Sequence, residues 1–288
     1  MNCFNGEKYL FDAMQSVVNQ TYEHWELIVW DNCSTDQSSK IIKSFSDTRI
    51  KYHQAETHLE TLYAARNEAL QLCHGSLICF LDVDDWWADN KLINQIHLFN
   101  DPEIGVAASN YYLVNENRKT TKDMRMHFET SSDATNDLMK NYFVALVTIM
   151  MRKEILEDLG GFNSKYHILG DFDLVMTLST ITKLGFTNAP LAYLRKHSNN
   201  ESSLKRNLGI TELQDWISKA SKNKNFNSLS NFRILKGKYF YQLAVSLVIN
   251  KNKLKALPFL LKVEKLSFMF KLIILFFTPQ IIIKRLSV

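Results

Sequence analysis

SLICFLDVDDWW, residues 76–87, is the stretch whose reading decides the fold. A short apolar run, SLICFL, goes straight into Asp82, Asp84 and Asp85 and then into Trp86 and Trp87. Such a run, without polar alternation, reads as a buried strand. Three carboxylates within four residues repel one another. At about 5 Å and an effective dielectric near 20, each pair costs on the order of 3 kcal/mol. A divalent cation or a raised pKa relieves that repulsion, and hard oxygen donors suit Mg²⁺ or Mn²⁺ shared with phosphates. The competing reading is a solvated turn ahead of the helix NKLINQI, whose N-terminus accepts acids. The apolar strand before the cluster and the paired tryptophans after it favour a site.

Outward from this point, strand and helix patterns alternate. WELIVW (25–30) is a buried strand ending at Asp31 and Asn32, and STDQSSKIIKSF follows as a helix, with Ser34 and Gln37 spaced as a capping box. RIKYHQ (49–54) alternates like a strand, ETLYAARNEALQL (60–72) is helical, and IGVAASNYYLV (104–114) is a strand. The polar stretch 117–135 reads as a loop or small excursion. VALVTIMM (144–151) reads as a strand, RKEILEDL as a short helix stopped by Gly160-Gly161, and 170–185 as a helix, after which NAPLAYLRKH leads out of the sheet. This alternation predicts an α/β fold, a mostly parallel mixed sheet with helices on both faces. From about residue 208 the pattern is helical only. The expected division is a catalytic domain at 1–207 and a helical region at 208–288.

In open α/β sheets ligands bind beyond the carboxyl ends of strands. Asp31 and Asn32 lie at one such end and the Asp82 cluster at another. Asp171 and Asp173 fall in the first turn of a helix, where dipole complementarity alone would explain them; a carboxylate facing a metal–phosphate site could instead take a proton from an attacking hydroxyl. Arg195, Lys196 and His197, in YLRKHSNNESS, could close over a diphosphate. There is no GxxxxGK[ST] or GxGxxG, no paired His/Cys spacing, and no interleaving of basic and aromatic residues of the nucleic-acid-binding kind. The four cysteines lack zinc-like spacing and read as reduced thiols in a cytosolic protein.

Taken in order, these stretches resemble glycosyltransferase family 2, enzymes of the GT-A fold, over roughly residues 1–205. The resemblance rests on CFNGEKYLFDAMQSVVNQTY, WDNCSTD, AARNEAL, LDVDDWW, GGFNSKY, GDFDL and RKHSNNESS. It implies a sugar transfer from a nucleotide-diphosphate donor to an acceptor hydroxyl, with inversion, aided by Mn²⁺ or Mg²⁺ at a DxD pattern. It places Asn2, Cys3 and Phe4 beside the nucleotide base, Asp31 and Asn32 on base or ribose, and Arg66 in the nucleotide pocket. Asp82 would face ribose and metal, Asp84 would be the chief metal ligand, and His197 and Arg195 would contact metal or diphosphate. Asp171 would be the general base, with Asp85 and Asp173 in support. Many members carry a second Asp where Asn32 stands. The family also has a strand just before the Asn5-Gly6 turn, here reduced to MNCF, so the reading expects about five to eight strand residues to be missing. The sheet would then expose two ladder edges and leave a gap in the core. The rival readings are a sugar nucleotidyltransferase and a catalytically impaired nucleotide- or membrane-binding scaffold.

Charge divides the chain. Residues 251–288 hold eight Lys or Arg and one Glu, a net +7, while the rest carries −3. The tail LSFMFKLIILFFTPQIIIKRLSV (266–288) has no apolar run long enough to span a bilayer. It reads either as a helix buried in the protein or as an interfacial helix with its lysines on anionic lipid. The second alternative suits an enzyme acting on a lipid-linked or saccharide acceptor. It would make the protein cytoplasmic with a peripheral contact to the inner face of the cell membrane. No nucleic-acid partner is expected.

Overall fold

The computed structural model describes residues 1–131, 133–260, 262–263 and 266–277. Residues 278–288 of the predicted tail segment lie outside the described residues. The chain divides into two compact units, Met1–Ala134 with Phe143–Asn200, and Thr135–Tyr142 with the residues from Glu201 onward.

The first unit is built on nine strands: β1 Asn2–Cys3, β2 Leu27–Asp31, β3 Ile50–Gln54, β4 Leu77–Cys79, β5 Trp86–Trp87, β6 Ile104–Asn115, β7 Thr120–Asp123, β8 Met150–Arg152 and β9 Lys183–Lys196. β1, β2 and β3 form a parallel sheet in that order. The second sheet runs β4-β8-β6-β9-β5, with β7 added to β6. β6 and β9 are parallel along almost their whole length, whereas β8 is antiparallel to β4 and β6, and β5 to β9. One parallel bridge, Asn2 with Asp82, joins the two sheets. The helix Leu10–Val18 buries Leu10, Ala13, Met14 and Val17, one face at helical spacing. These residues pack with Val29, Leu81, Trp87, Leu92 and Met150 in the core.

Five local expectations change. Ser34 does not cap a helix; its hydroxyl accepts from the Asn5 N–H at 2.9 Å. The helix starts at Ser38, whose N–H is met by Asp36. The polar stretch after 117 includes β7, paired to β6 as a hairpin. Residues 146–148 form a 3₁₀ turn, with the Thr148 hydroxyl donating to the Ala145 carbonyl at 2.6 Å, so the strand is only Met150–Arg152. The helix expected over 170–185 ends at Leu178, where the Ser179 and Thr180 hydroxyls take the carbonyls of Met176 and Thr177. NAPLAYLRKH therefore does not leave the sheet. It is the second half of β9, held between β6 and β5 with Leu191 and Ala192 buried.

In the second unit, the helices Phe232–Ile249, Lys253–Leu260 and Leu266–Phe277 share a core of Ala244, Val245, Val248, Ala256 and Leu272. The segment from Thr135 belongs to the same unit. Asn136 accepts from the Asn231 N–H at 3.0 Å and receives the Asn231 amide on its own carbonyl at 3.0 Å.

β1 contributes only two residues to its ladder, with the Met1 nitrogen adding one bond to the Ile28 carbonyl at 2.7 Å. Beyond it, Leu27 and Ile28 of β2 and residues 76–81 around β4 line one cavity of about 660 Å³, together with Val17, Ala69, Leu70, Cys73 and Met150. Polar and charged groups, among them Glu23, Glu26, Arg49 and Arg66, complete its lining. Six alternating apolar residues fused ahead of Met1 should continue the parallel ladder into it. The melting temperature should then rise by about 5 °C over that of a Gly-Ser extension of equal length, a gain of roughly 2 kcal/mol. Equal melting temperatures would show that the cavity does not accept a strand.

Candidate active site

The carboxyl ends of β1, β2 and β4 meet at one place, and two turns close it. Asn5 and Cys33 both have positive φ, 51° and 67°. Asn tolerates this conformation better than most residues. The Asn5 side chain accepts from the Thr35 N–H at 2.9 Å, and the Gly6 N–H donates to the Ser38 hydroxyl at 2.9 Å. A Cβ on Gly6 would press on Val83 at 3.0 Å, so the FNG turn sits directly against the DVDD segment.

Asp31 is fully buried. It accepts from the Ser34 N–H and from the Tyr52 hydroxyl, both at 2.8 Å. Asn32 is also buried, and its amide is fully engaged with the backbone of Leu59. Its Oδ1 accepts from the Leu59 N–H at 2.9 Å and its Nδ2 donates to the Leu59 carbonyl at 2.9 Å. The pair predicted to touch base or ribose thus builds the loop walls with its side chains. The exposed group at this end is Phe4, with its ring 4.6 Å from that of His58. Asn2 and Cys3 are buried behind it, Asn2 donating to the Leu62 carbonyl at 3.1 Å.

The three carboxylates of LDVDDWW are divided among different partners. Asp82 takes the guanidinium of Arg66, which is itself buried. Asp84 accepts from His197 Nε2 at 2.9 Å and from the Asn200 amide at 3.3 Å. The Asn199 N–H donates to His197 Nδ1 at 3.2 Å, which places the ring proton on Nε2, toward Asp84. Asp85 is buried and accepts from the Arg195 N–H at 2.8 Å. Burial and the neighbouring charge of Asp82 push the Asp84 carboxyl above its ordinary range, and His197 draws it back down. Burial, then Asp84 and Asp82, push Asp85 well above it.

Arg195 is not in an open diphosphate loop. It is 2% exposed and its guanidinium is committed to Asp12, the Asp84 carbonyl and the Glu116 carbonyl. It also lies over the rings of Tyr9 and Trp86. β9 sits inside the sheet, so its last residues are held from both sides; this is why Arg195 braces Asp84 from behind while His197, two residues later, reaches the front.

Asp171 is half-buried at the start of the helix Gly170–Leu178. The Tyr63 hydroxyl donates to it at 3.1 Å and the Phe172 N–H at 2.8 Å. Gly170 is needed here, because a Cβ would lie 2.5 Å from the Tyr63 ring. Burial raises the Asp171 pKa; the charge of Arg66 and the two hydrogen bonds oppose the shift. Asp173 points elsewhere, lining a separate depression with residues 159–165.

The motif reading missed Tyr63, Asn67, His58 and Asn200. Tyr63, Arg66 and Asn67 share one helix face by their i, i+3, i+4 spacing, so polar residues repeating on an otherwise apolar helix were the available signal. Asn67 clamps Phe162, donating to its carbonyl at 2.9 Å and accepting its N–H at 2.8 Å, which ties AARNEAL to GGFNSKY.

Among the described residues no three His, Cys, Asp or Glu side chains form a metal cage. Asp84 and His197 converge beside Asp82, and the pKa of Asp84, raised by burial first and then by Asp82, is one that a cation would bring down. One or two protein donors with phosphate oxygens completing the coordination is the usual arrangement for Mg²⁺-type ions. The residues present fit such an ion.

Comparison with known proteins bears on the family and the fold. The family profile described as "Glycosyl transferase family 2" matches residues 1–160. The chain is 34% identical over 157 residues to WfgD of Escherichia coli, a UDP-Glc:alpha-D-GlcNAc-diphosphoundecaprenol beta-1,3-glucosyltransferase, covering 54% of this chain and 60% of that protein. It is 31% identical over 208 residues to TuaG of Bacillus subtilis, named for teichuronic acid biosynthesis, covering 70% of this chain and 79% of that one. Among solved structures it is similar to S. aureus TarS 1–349 in complex with UDP-GlcNAc, with a TM-score of 0.67 and 19% identity over 91% of this chain and 80% of TarS. A mannosyltransferase from Pyrobaculum calidifontis, in complex with GDP-Man and Mn²⁺, matches with a TM-score of 0.62 and 15% identity, covering 95% and 84%. The strand-end acid cluster, the separate carboxylate on the Gly170 helix and these matches lead to one conclusion: the chain belongs to glycosyltransferase family 2 and has the GT-A fold.

Proposed function

We propose that the chain moves a glycosyl group from a nucleoside-diphosphate sugar to a hydroxyl of a saccharide or lipid-linked acceptor in surface polysaccharide synthesis, with inversion at the anomeric carbon. One observation carries this reading: a single carboxylate, Asp171, is held apart from the Asp82–Asp85 cluster, yet both feel the charge of Arg66. One isolated base opposite a diphosphate-binding cluster suits a single in-line displacement.

In this reading the base of the donor lies against Phe4 and His58, within the walls built by Asn2, Cys3, Asp31 and Asn32. Asp82, fixed by Arg66, faces the ribose. Mn²⁺ or Mg²⁺, held by Asp84 with His197 and Asp82, would neutralise charge on the leaving diphosphate. Asp171 accepts the proton of the acceptor hydroxyl as its oxygen bonds to the anomeric carbon. The bond from that carbon to the diphosphate oxygen breaks, and its electron pair leaves with the diphosphate. Asp85 and Arg195 keep the backbone of Asp84 in place. A uridine donor and a diphosphate-linked lipid acceptor are favoured by the names of WfgD and TarS. Among the described residues no helix is long and apolar enough to cross a membrane. In this reading a lipid-linked acceptor is met at the cytoplasmic face of the cell membrane.

Asp171→Asn should lower kcat about 10²–10⁴-fold with little change in UDP binding; near-normal turnover would remove Asp171 from the role of base. The base acts deprotonated and its pKa is raised by burial. The wild-type rate should therefore fall with acidification at a pH above the range of an ordinary aspartate, and reach a plateau above that limb. A rate constant down to the ordinary carboxylate range would contradict this assignment. His197→Ala should raise the Mn²⁺ concentration needed for half-maximal activity by about tenfold, in line with loss of a metal-site residue, and an unchanged requirement would exclude it from the site.

A further inference from the structure

The second unit carries a surface that the transfer chemistry does not use. On the helix Leu266–Phe277, Leu272 is buried and Phe268, Leu275 and Phe276 are partly buried in the unit's core. The other side of the same helix exposes Phe270, Ile273, Ile274 and Phe277, at 55, 37, 67 and 79%. Their spacing, i, i+3, i+4 and i+7, puts all four on one face. The helix Lys253–Leu260 likewise exposes Leu254, Leu257 and Pro258 at i, i+3 and i+4. Lysines exposed on the same stretch of chain are Lys251, Lys255, Lys262 and Lys271. Residues 251–288 contain one acidic residue against eight basic ones.

We infer that this face is an insertion surface for an anionic lipid bilayer, with the four side chains of the Leu266–Phe277 helix entering the headgroup region. Three observations favour lipid over other occupants. The described helix has 12 residues; at 1.5 Å per residue it is about 18 Å long, a length suited to lying in the surface of a hydrocarbon core of roughly 30 Å. The basic stretch matches the negative potential of anionic lipid. The four side chains expose on the order of 400 Å², about half of what each partner gives to a standard protein interface of roughly 800 Å². A second copy docking here would therefore be held weakly, whereas a bilayer needs no matching shape. The surface deepens the lipid-linked acceptor reading by supplying the contact that brings the enzyme to its acceptor; the binding itself rests only on the residues above.

The test is sedimentation of the full chain with vesicles of phosphatidylcholine, with and without about one-third phosphatidylglycerol. The wild type should pellet with the anionic vesicles, less in high salt and much less with phosphatidylcholine alone. The exposed-face variant F270S/I274S/F277S should lose at least tenfold in partitioning while keeping its melting temperature. K255E/K271E should lose the preference for anionic vesicles. Wild type that stays in the supernatant, or a triple variant that pellets as wild type, overturns the inference. So does a triple variant whose mass by light scattering falls while its partitioning is unchanged, since that would make the face a contact between copies. Release of UDP from a UDP-sugar without vesicles is measured alongside. Its absence would count against the catalytic reading and leave the vesicle result standing.

Discussion

The site depends on keeping three carboxylates together at the end of one strand. Each of Asp82, Asp84 and Asp85 receives a different partner: the Arg66 guanidinium, the His197 imidazole with the Asn200 amide, and the Arg195 N–H, the last three from more than a hundred residues away. Dividing the charge in this way lets the cluster survive in a partly dry position, where an unpaired buried carboxylate would cost several kcal/mol. The compensation is incomplete at Asp84 and Asp85, whose carboxyls remain raised. Burial first, and then the neighbouring carboxylates, hold them up, and a bound cation would offset the second of these.

The same constraint explains the course of the chain around the cluster. β9 must run inside the sheet beside β6, because only then do Arg195 and His197 arrive behind and in front of Asp84. The helix Leu62–Gln71 performs a second bracing. One face of it sends Tyr63 to Asp171, Arg66 to Asp82 and Asn67 to the backbone of Phe162. The carboxylate on the Gly170 helix and the acid cluster are thus registered against each other by one rigid element, as the proposed proton transfer would require.

The nucleotide end shows a different use of polar groups. Asp31 and Asn32 are the residues a motif comparison selects, yet their side chains are consumed by Ser34, Tyr52 and Leu59. A buried polar side chain that is already satisfied has little to offer a ligand. Asn32 here secures the loop that carries His58, and Phe4 and His58 are left to face solvent.

The family, the α/β alternation, the position of the acid cluster after a buried strand, and the helical run that includes residues 232–277 were legible in the sequence alone. These are readable because they rest on local periodicity and on charges adjacent in the chain. Whether Arg195 touches a ligand or a backbone carbonyl, which side chain holds Asp171, and that NAPLAYLRK is an inner strand were decided only by the tertiary structure. Each of these depends on a partner about a hundred residues away, and long-range pairing leaves no mark in the local pattern. The length of β1 illustrates both sides. A short strand is evident in MNCF, but the cavity lined by β2 and β4 is made by segments about fifty residues apart in the chain.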